Sequence, residues 1–278
     1  LKQASRQWFT KLRSTLLSLG YQQSKSDYSL FLNKSSTYIT LVAVYVDDIL
    51  ITGSDQAEIS HVKHHLHQCF GIKDLGQLHY FLGLEVSYIP AGVVLSQKKF
   101  TIEFLKDSGL TTFKPATTPL PLNCKLQPDE GELLTDPSYY RMMIGKLNFL
   151  TNTRPDLRFT AQTLSQFMQK PRTSHLQALQ HTLRYIHCTI GKGILLQGAD
   201  HLSIQAYSDS DWGACSFSRR STTGYIILFG CSPISWKSKK QSTVSRLPSE
   251  AECRAMSQAA IEITWLVRLL EELGVHSL

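Results

Sequence analysis

Thr37-Tyr38-Ile39-Thr40-Leu41-Val42-Ala43-Val44-Tyr45-Val46-Asp47-Asp48-Ile49-Leu50-Ile51-Thr52 is the stretch that decides how this chain of 278 residues is read. Thr37 to Val46 and Ile49 to Thr52 are rich in β-branched residues, which suit a pleated, half-buried strand. Only Asp47 and Asp48 separate them, so the pattern is a hairpin with two carboxylates at its tip. A bare Asp-Asp pair reads as a solvated turn, because Asp suits turns. Between two apolar strands it reads as a ligand pair for a hard divalent cation. Nucleotidyl transfer has that requirement: two magnesium ions about 4 Å apart activate the attacking hydroxyl and steady the leaving pyrophosphate, and carboxylate oxygens hold them.

Outward from the hairpin, Trp8, Phe9, Leu12, Leu16 and Leu19 recur at helical steps and predict a helix over 4–19. Residues 28–33, 38–46 and 49–53 read as strands. A helix follows over about 56–69, with Ile59, Val62 and Leu66 on one face and Gly71 as its stop. Tyr80 to Tyr88 and Gly92 to Ser96 read as a second hairpin. The stretch 111–137 holds Pro115, Pro119, Pro121, Pro128 and Pro137 and predicts an extended linker. Helices are expected at about 138–150, 156–169 and 174–188. Strands are then expected at about 194–197, 203–208, 224–229 and 233–237, and a long helix over about 249–273. That order, α+β, then helices, then strands and a helix, places a domain boundary near 195.

Composition sets outer limits. Hydrophobic residues make up 42% and charged residues 18%, the balance of a globular chain rather than a disordered one. The formal net charge of +7 favours an acidic partner such as nucleic acid. The six cysteines make no C-x-x-C pair and fit neither a zinc ribbon nor a disulfide scaffold, so they read as reduced thiols of an intracellular protein. No leader sequence or membrane-length apolar run is present. His61 and His65 have the i, i+4 spacing of a zinc pair, but no third ligand stands at a useful interval, and they read as the wet face of their helix.

A second acidic constellation lies late in the chain. Ala206-Tyr207-Ser208-Asp209 reads as the end of a strand, with Asp211 two residues on. On the last helix Met256, Ala259, Ile263, Leu266, Leu270 and Leu273 form the expected buried stripe, and extending it back reaches Glu252. Glu252 therefore has two readings. It turns to the sheet as a metal partner of Asp209, or the pattern Ser249-Glu250-Ala251-Glu252 makes it a helix cap. Trp236, Lys237, Lys239, Lys240, Arg219, Arg220 and Arg246 make a basic aromatic cluster, either a phosphate-binding patch or a solvated strand edge.

Several segments resemble one family. Tyr45-Val46-Asp47-Asp48-Ile49-Leu50-Ile51 resembles the palm motif of reverse transcriptases in its copia-type retrotransposon form. Leu1-Lys2-Gln3-Ala4-Ser5-Arg6-Gln7-Trp8 resembles that family's upstream motif, with Ser5 where the family usually has Pro. His79 to Val86 resembles its primer-gripping hairpin, and Tyr140-Arg141, Gly145-Lys146-Leu147 and Thr153-Arg154-Pro155-Asp156 its following helical region. Tyr207 to Trp212, Arg219 to Tyr225, Ile234 to Gln241 and Ser249 to Ala255 resemble the family's RNase H domain.

The resemblance implies an α+β chain: a partial reverse transcriptase palm over 1–110, a Pro-rich linker and helical thumb or connection over 111–194, and the N-terminal part of an RNase H-like α/β domain over 195–278. It implies magnesium, or manganese in its place, on Asp47 and Asp48 in one site and on Asp209 and Glu252 in the other, with Asp211 a weaker candidate. Tyr45 is implied beside the primer terminus and Gln3 near the incoming nucleotide, with Arg219, Trp236, Lys237, Lys239 and Lys240 against the nucleic acid. The implied partners are an RNA template, a DNA primer, the RNA–DNA hybrid and deoxynucleoside triphosphates. The family's first acidic motif is expected before Leu1 and its last two aspartates beyond Leu278, so the chain is expected to be a fragment, inactive by itself. The alternative is a non-catalytic, nucleic-acid-binding remnant.

Overall fold

The computed structural model describes residues 2–110, 114–198 and 202–276, with side chains from residue 6 onward. The chain is mixed α and β, and among the described residues its strands form three antiparallel sheets. It packs as two compact units, Leu1–Leu78 with Thr264–Leu278, and His79–Ile263.

The first unit is built on the hairpin. Helix α1 (Lys2–Ser18) leads into strands β1 (Gln22–Gln23), β2 (Leu30–Lys34), β3 (Ile39–Tyr45) and β4 (Asp48–Gly53), followed by helix α2 (Gln56–Phe70). The sheet runs in the order β1-β2-β3-β4. Strand alternation sends Val42 and Val44 into a core with Leu12 and Leu16 of α1 and Val62 and Leu66 of α2. Burying each such side chain contributes roughly 1.5–3 kcal/mol. The α2 boundaries are written in its sequence. The Asp55 carboxylate accepts from the main-chain N–H of Ala57 and Glu58, and Gly71 closes the helix at φ 65°, where a Cβ is strained. Glu58 accepts from the Tyr21 hydroxyl at 3.0 Å and from Asn33 at 3.1 Å, tying α2 to the sheet.

The second unit opens with β5 (Tyr80–Phe81), β6 (Leu84–Ile89) and β7 (Gly92–Ser96). The expected strand Tyr80–Tyr88 is in fact folded back on itself. Leu82 and Gly83 both hold positive φ, 52° and 81°, the backbone of a type I′ turn. Helices α3 (Lys98–Asp107), α4 (Ser138–Leu150), α5 (Arg158–Ser165) and α6 (Thr173–Cys188) share a core of Phe104, Tyr140, Met143, Leu147, Leu157, Leu164, Leu179 and Leu183. Strand β8 (Ile194–Leu196) pairs with β7, so packing joins the strand at the expected boundary near 195 to residues a hundred positions earlier. Strands β9 (Ile204–Asp211), β10 (Thr222–Phe229) and β11 (Ser232–Lys240) form a separate sheet in the order β11-β10-β9, and helix α7 (Pro248–Glu272) follows. Among the described residues, no helix is long and apolar enough to cross a membrane.

Two expectations change here. Residues 114–137 hold no helix or strand, but they are strapped down rather than free. Arg172 donates to the carbonyls of Pro128 and Gly131 (2.9 and 2.7 Å), and Ser174 to that of Glu130 (2.7 Å), all at the start of α6. On α7 the buried residues are Ala251, Ala255, Ala259 and Leu266, whereas Met256 is 60% exposed. The inward face keeps Ala259 and Leu266 of the expected stripe and departs from it at the start of the helix, where Ala251 and Ala255 are buried in place of Glu252 and Met256.

The start of α6 carries a pH-sensitive cap. His175 is fully buried and stacked on Phe167 at 3.9 Å. Its Nδ1 accepts from the Arg172 main-chain N–H at 3.0 Å, which leaves Nε2–H to donate to the Gln127 carbonyl at 2.8 Å. Burial, reinforced by the Arg172 charge, holds the imidazole below its ordinary pKa. The neutral ring is favoured in the fold, so its contribution is whole above the unfolded pKa, near 6.5, and is lost as pH falls below it. Losing such a cap costs about 1 kcal/mol. Urea midpoints are expected to fall from pH 7 to pH 5 in the parent and to change less in His175→Gln, whose amide oxygen keeps the acceptor. Equal pH slopes in the two proteins would remove His175 as the titrating group.

Candidate functional site

The tip of the β3–β4 hairpin is a two-residue turn, Val46-Asp47, closed by the pair Tyr45 and Asp48. Tyr45, Val46, Asp47 and Asp48 are all exposed. Directly opposed residues share a face, and alternation puts Val44 in the core. Tyr45 and Asp48 therefore lie on the sheet face opposite α1 and α2. Val46 holds φ 53°, a left-handed conformation that β-branched residues rarely adopt and that costs of order 1–3 kcal/mol. Local chemistry would place Gly there. Val46→Gly is accordingly expected to raise stability by about 1 kcal/mol, the strain relieved less the chain entropy of glycine. A lower urea midpoint in the variant would show that the turn is unstrained.

The second candidate lies on the sheet β11-β10-β9. Asp209 does not end its strand. It pairs with Gly224 of β10, and β9 continues through Ser210 to Asp211. Asp209 and Asp211 are exposed and share one face, while Ser210 between them is buried on the other. Gln241 donates to Ser210 Oγ (3.3 Å), Thr223 Oγ1 (3.1 Å) and the Ala251 carbonyl (3.0 Å), so it is the Ser210 face that meets α7. The Asp209 face opens into a groove of about 350 Å³, bordered by Tyr207, Asp209, Asp211, Gly224, Lys237 and Ser238 with Arg158 and Phe159 from α5.

Glu252 does not line that groove. It is half-buried on α7, next to the inward Ala251. It is not the helix cap either. Glu250 takes that part, accepting from the Arg246 main-chain N–H at 2.8 Å and pairing with Arg254 at 2.7 Å. Asp209 and Asp211 both border the groove, and Glu252 is not among the residues that line it. Among the described residues no group of three His, Cys, Asp or Glu side chains is arranged to hold a metal ion. His61 pairs with Glu58 and His65 contacts Cys69, each at 3.5 Å.

The basic cluster divides by strand parity. Trp236 donates its indole N–H to the Thr151 carbonyl at 2.9 Å and is packed. Lys240 donates to Gln166 Oε1 and to Cys215 Sγ, both at 2.9 Å, with its ammonium 4.3 Å from the Phe217 ring centre. These two side chains are engaged inside the protein. Lys239 and Arg219 are exposed, and Lys237 borders the groove, so the face open to phosphate is smaller than the sequence suggested. Gln3 lies among residues whose side chains are outside the description. Arg158 and Phe159 were not singled out from sequence. They reach the groove from α5, about fifty residues before the sheet.

The donor sets fit a hard divalent cation of the magnesium class, which binds through one or two carboxylates and takes its remaining ligands from water and substrate phosphate. Asp47 with Asp48, and Asp209 with Asp211, each offer such a pair on an exposed surface.

Comparison with known proteins gives these geometries a context. Residues 1–121 match the family model described as reverse transcriptase (RNA-dependent DNA polymerase). The chain is 44% identical over 276 residues to the retrovirus-related Pol polyprotein from transposon RE1 of Arabidopsis thaliana, covering 99% of this chain and 19% of that protein. It is 33% identical over 288 residues to the Pol polyprotein from transposon TNT 1-94 of Nicotiana tabacum, covering 99% and 22%. It is 32% identical over 266 residues to the putative transposon Ty5-1 protein of Saccharomyces cerevisiae, covering 95% and 86%. The chain thus spans about a fifth of the length of the Pol polyproteins it matches, 19% for RE1 and 22% for TNT 1-94. No solved structure matches it.

Proposed function

This chain belongs to the copia-type family of retrotransposon Pol polyproteins and carries their reverse transcriptase region, and from that premise we propose that it is the part of an RNA-directed DNA polymerase with RNase H that presents Asp47 and Asp48 to the nucleotidyl-transfer site. The observation that carries this reading is the hairpin tip: two exposed carboxylates on a left-handed turn, held rigid by strands whose inner face is core. Residues 1–110 are assigned to the palm, 111–194 to the thumb or connection, and 195–278 to the RNase H-like region.

In this reading Asp47 and Asp48 hold divalent cations, which supply charge stabilisation to the attacking and leaving oxygens in two-metal transfer. Tyr45, on the same sheet face as Asp48, packs against the primer terminus. In the other unit Asp209 and Asp211 are the acidic side of a hybrid-binding groove. Tyr207 and Phe159, 58% and 45% exposed, offer ring faces to sugars or bases, and Arg158 offers donors to phosphate. Glu252 remains a proposed ligand from its place in the family motif.

The second reading, a nucleic-acid-binding remnant without turnover, is favoured by one observation: Glu252 does not line the groove that Asp209 borders. A labelled RNA–DNA hybrid separates the two. Both readings expect binding that weakens as salt rises. The first also expects magnesium-dependent protection of the tip and groove carboxylates from carbodiimide labelling when hybrid is bound. Protection lost in Asp47→Asn and Asp209→Asn supports it. Binding with no metal-dependent protection supports the remnant, and no salt-sensitive binding defeats both.

A further inference from the structure

Residues 118–130 hold no helix or strand, yet they arch along one face of α6 and are pinned to it at both ends. His181 donates from Nε2 to the Thr118 carbonyl at 3.0 Å, and Ser174 donates to the Glu130 carbonyl at 2.7 Å. The ties stand about 10 Å apart along the helix axis. Strap and helix border a groove of about 340 Å³. It shares no lining residue with the groove at Asp209.

Arg184 sets the chemistry of this groove. It stands one turn beyond His181 on the same face of α6. Helical side chains lean toward the N-terminus of their helix, which turns the guanidinium back toward the ties. Arg184 is half-buried, and its Nε is closed off from water with no hydrogen-bond partner. Among the described residues the guanidinium makes no hydrogen bond and no ion pair. A cation drawn partly out of water is ordinarily paired. Arg154, on the same side of the chain's division, binds both oxygens of Asp156.

The surroundings of Arg184 select an anion. Lys125 borders the groove from the strap, exposed and likewise without an ion pair among the described residues. Glu130 is the one carboxylate among the lining residues, and it is exposed. No Phe, Tyr or Trp lines the groove, so nothing there stacks a base. Ties at both ends suit a group that enters end-on rather than a strand laid along the helix.

We propose that the groove between α6 and the strap 118–130 is a binding site for a terminal phosphoryl group, carried by a free phosphate, a nucleotide or the phosphorylated end of a nucleic acid. The two terminal nitrogens of Arg184 donate to two phosphoryl oxygens, and Lys125 supplies the second positive charge. The site needs no metal ion and stands apart from the reading of Asp47 and Asp209.

The test is phosphorus NMR of inorganic phosphate and of adenosine monophosphate, titrated with the whole chain in EDTA at constant ionic strength. EDTA removes cations that would bridge phosphate to Asp47 or Asp209. Binding in the millimolar range is expected. Arg184→Gln is expected to weaken it about tenfold, Lys125→Gln to weaken it a few-fold, and Glu130→Gln to strengthen it a few-fold. Thermal melts without phosphate confirm that each variant is folded. Cys124 lines the groove and locates the binding. Its alkylation by iodoacetamide, read by peptide mass spectrometry, is expected to slow when phosphate is present, while the exposed Cys69, Cys188, Cys231 and Cys253 react as before. Protection of Cys124 by a 5′-phosphorylated oligonucleotide and not by its 5′-hydroxyl counterpart makes the ligand a nucleic-acid end. Protection by phosphate and adenosine monophosphate alone makes it a small molecule, and either result supports the phosphoryl site. Absence of line broadening at millimolar phosphate overturns the proposal, as does binding unchanged in Arg184→Gln or equal protection by the two oligonucleotides.

Discussion

RNA-templated primer extension with magnesium and deoxynucleotides is expected to fall by about three orders of magnitude on Asp47→Asn in a Pol polyprotein carrying this segment, and to be undetectable for this chain by itself. Asparagine keeps the shape of the side chain and removes the charge that a divalent cation requires. Because Asp47 is exposed in a turn and tied into no core contact, the substitution is expected to change stability by less than about 0.5 kcal/mol. A loss of extension at unchanged stability therefore reports the lost ligand charge and not a damaged fold. Asp48→Asn, at the first position of β4 and beside Tyr45, tests whether the two carboxylates act as one set. Two effects much smaller together than separately expected would mark them as one. Full extension by Asp47→Asn would end the assignment of the hairpin tip. Extension by the isolated chain would show that the ligands present suffice.

The hairpin was legible because its strands agree with it, β-branched and with an exact alternation at Val42 and Val44, although the turn falls at Val46-Asp47, one residue before the expected Asp47-Asp48 and on a β-branched residue that local chemistry disfavours there. Helix α2 was equally open, since Asp55 and Gly71 mark its ends and Ile59, Val62 and Leu66 its inner face. Helix α3 is hard to see in the sequence because Phe100, Ile102 and Phe104 alternate with polar residues as a strand would over Lys98–Asp107, and one of its buried positions is Thr101. The inner face of α7 was legible in part. Ala259 and Leu266 lie both on the expected stripe and on the buried face, but at the start of the helix Ala251 and Ala255 are buried, and alanine carries little hydrophobic weight beside Met256.

The basic cluster held a signal that went unused. Trp236, Ser238 and Lys240 occupy one parity of β11 and Lys237 and Lys239 the other, so strand alternation already forbids all of them from facing one ligand. The groove itself was beyond local reading. Its walls come from α5 and from the β9–β10 pair, and no spacing in sequence links Arg158 to Asp209. Sequence identifies ligand types well because chemistry constrains them residue by residue. It identifies shared faces only where a regular period carries the information that far.

Asp156→Ala is expected to cost about 3 kcal/mol, because its motif, Thr153-Arg154-Pro155-Asp156, holds an ion pair with one buried partner. Arg154 is buried to 2% exposure, and its guanidinium donates to both Asp156 oxygens, at 2.9 and 2.6 Å, and to the carbonyl and hydroxyl of Thr189, at 3.2 and 2.9 Å. The Tyr185 hydroxyl donates to Asp156 at 2.9 Å. The network joins the turn after α4 to the end of α6, so it fixes the frame from which Arg158 and Phe159 reach the groove. The two partners are unequal. The Asp156 side chain is 36% exposed and Arg154 only 3%. Removing the acid leaves a buried cation with neutral acceptors alone, whereas Arg154→Met leaves a carboxylate that water can reach. The second change is therefore expected to cost less, about 1–2 kcal/mol. Burial pushes the Asp156 carboxyl up, but the Arg154 hydrogen bonds and charge, with Tyr185, outweigh it and hold it below the ordinary range. A depressed folded pKa gives stability that is whole above the unfolded value, near 3.9, and is lost as pH falls through the folded one. Urea titrations from pH 7 to pH 3 are expected to show a steeper acid loss in the parent than in Asp156→Asn. A larger cost for Arg154→Met than for Asp156→Ala would reverse the assignment of which partner the fold cannot leave unpaired.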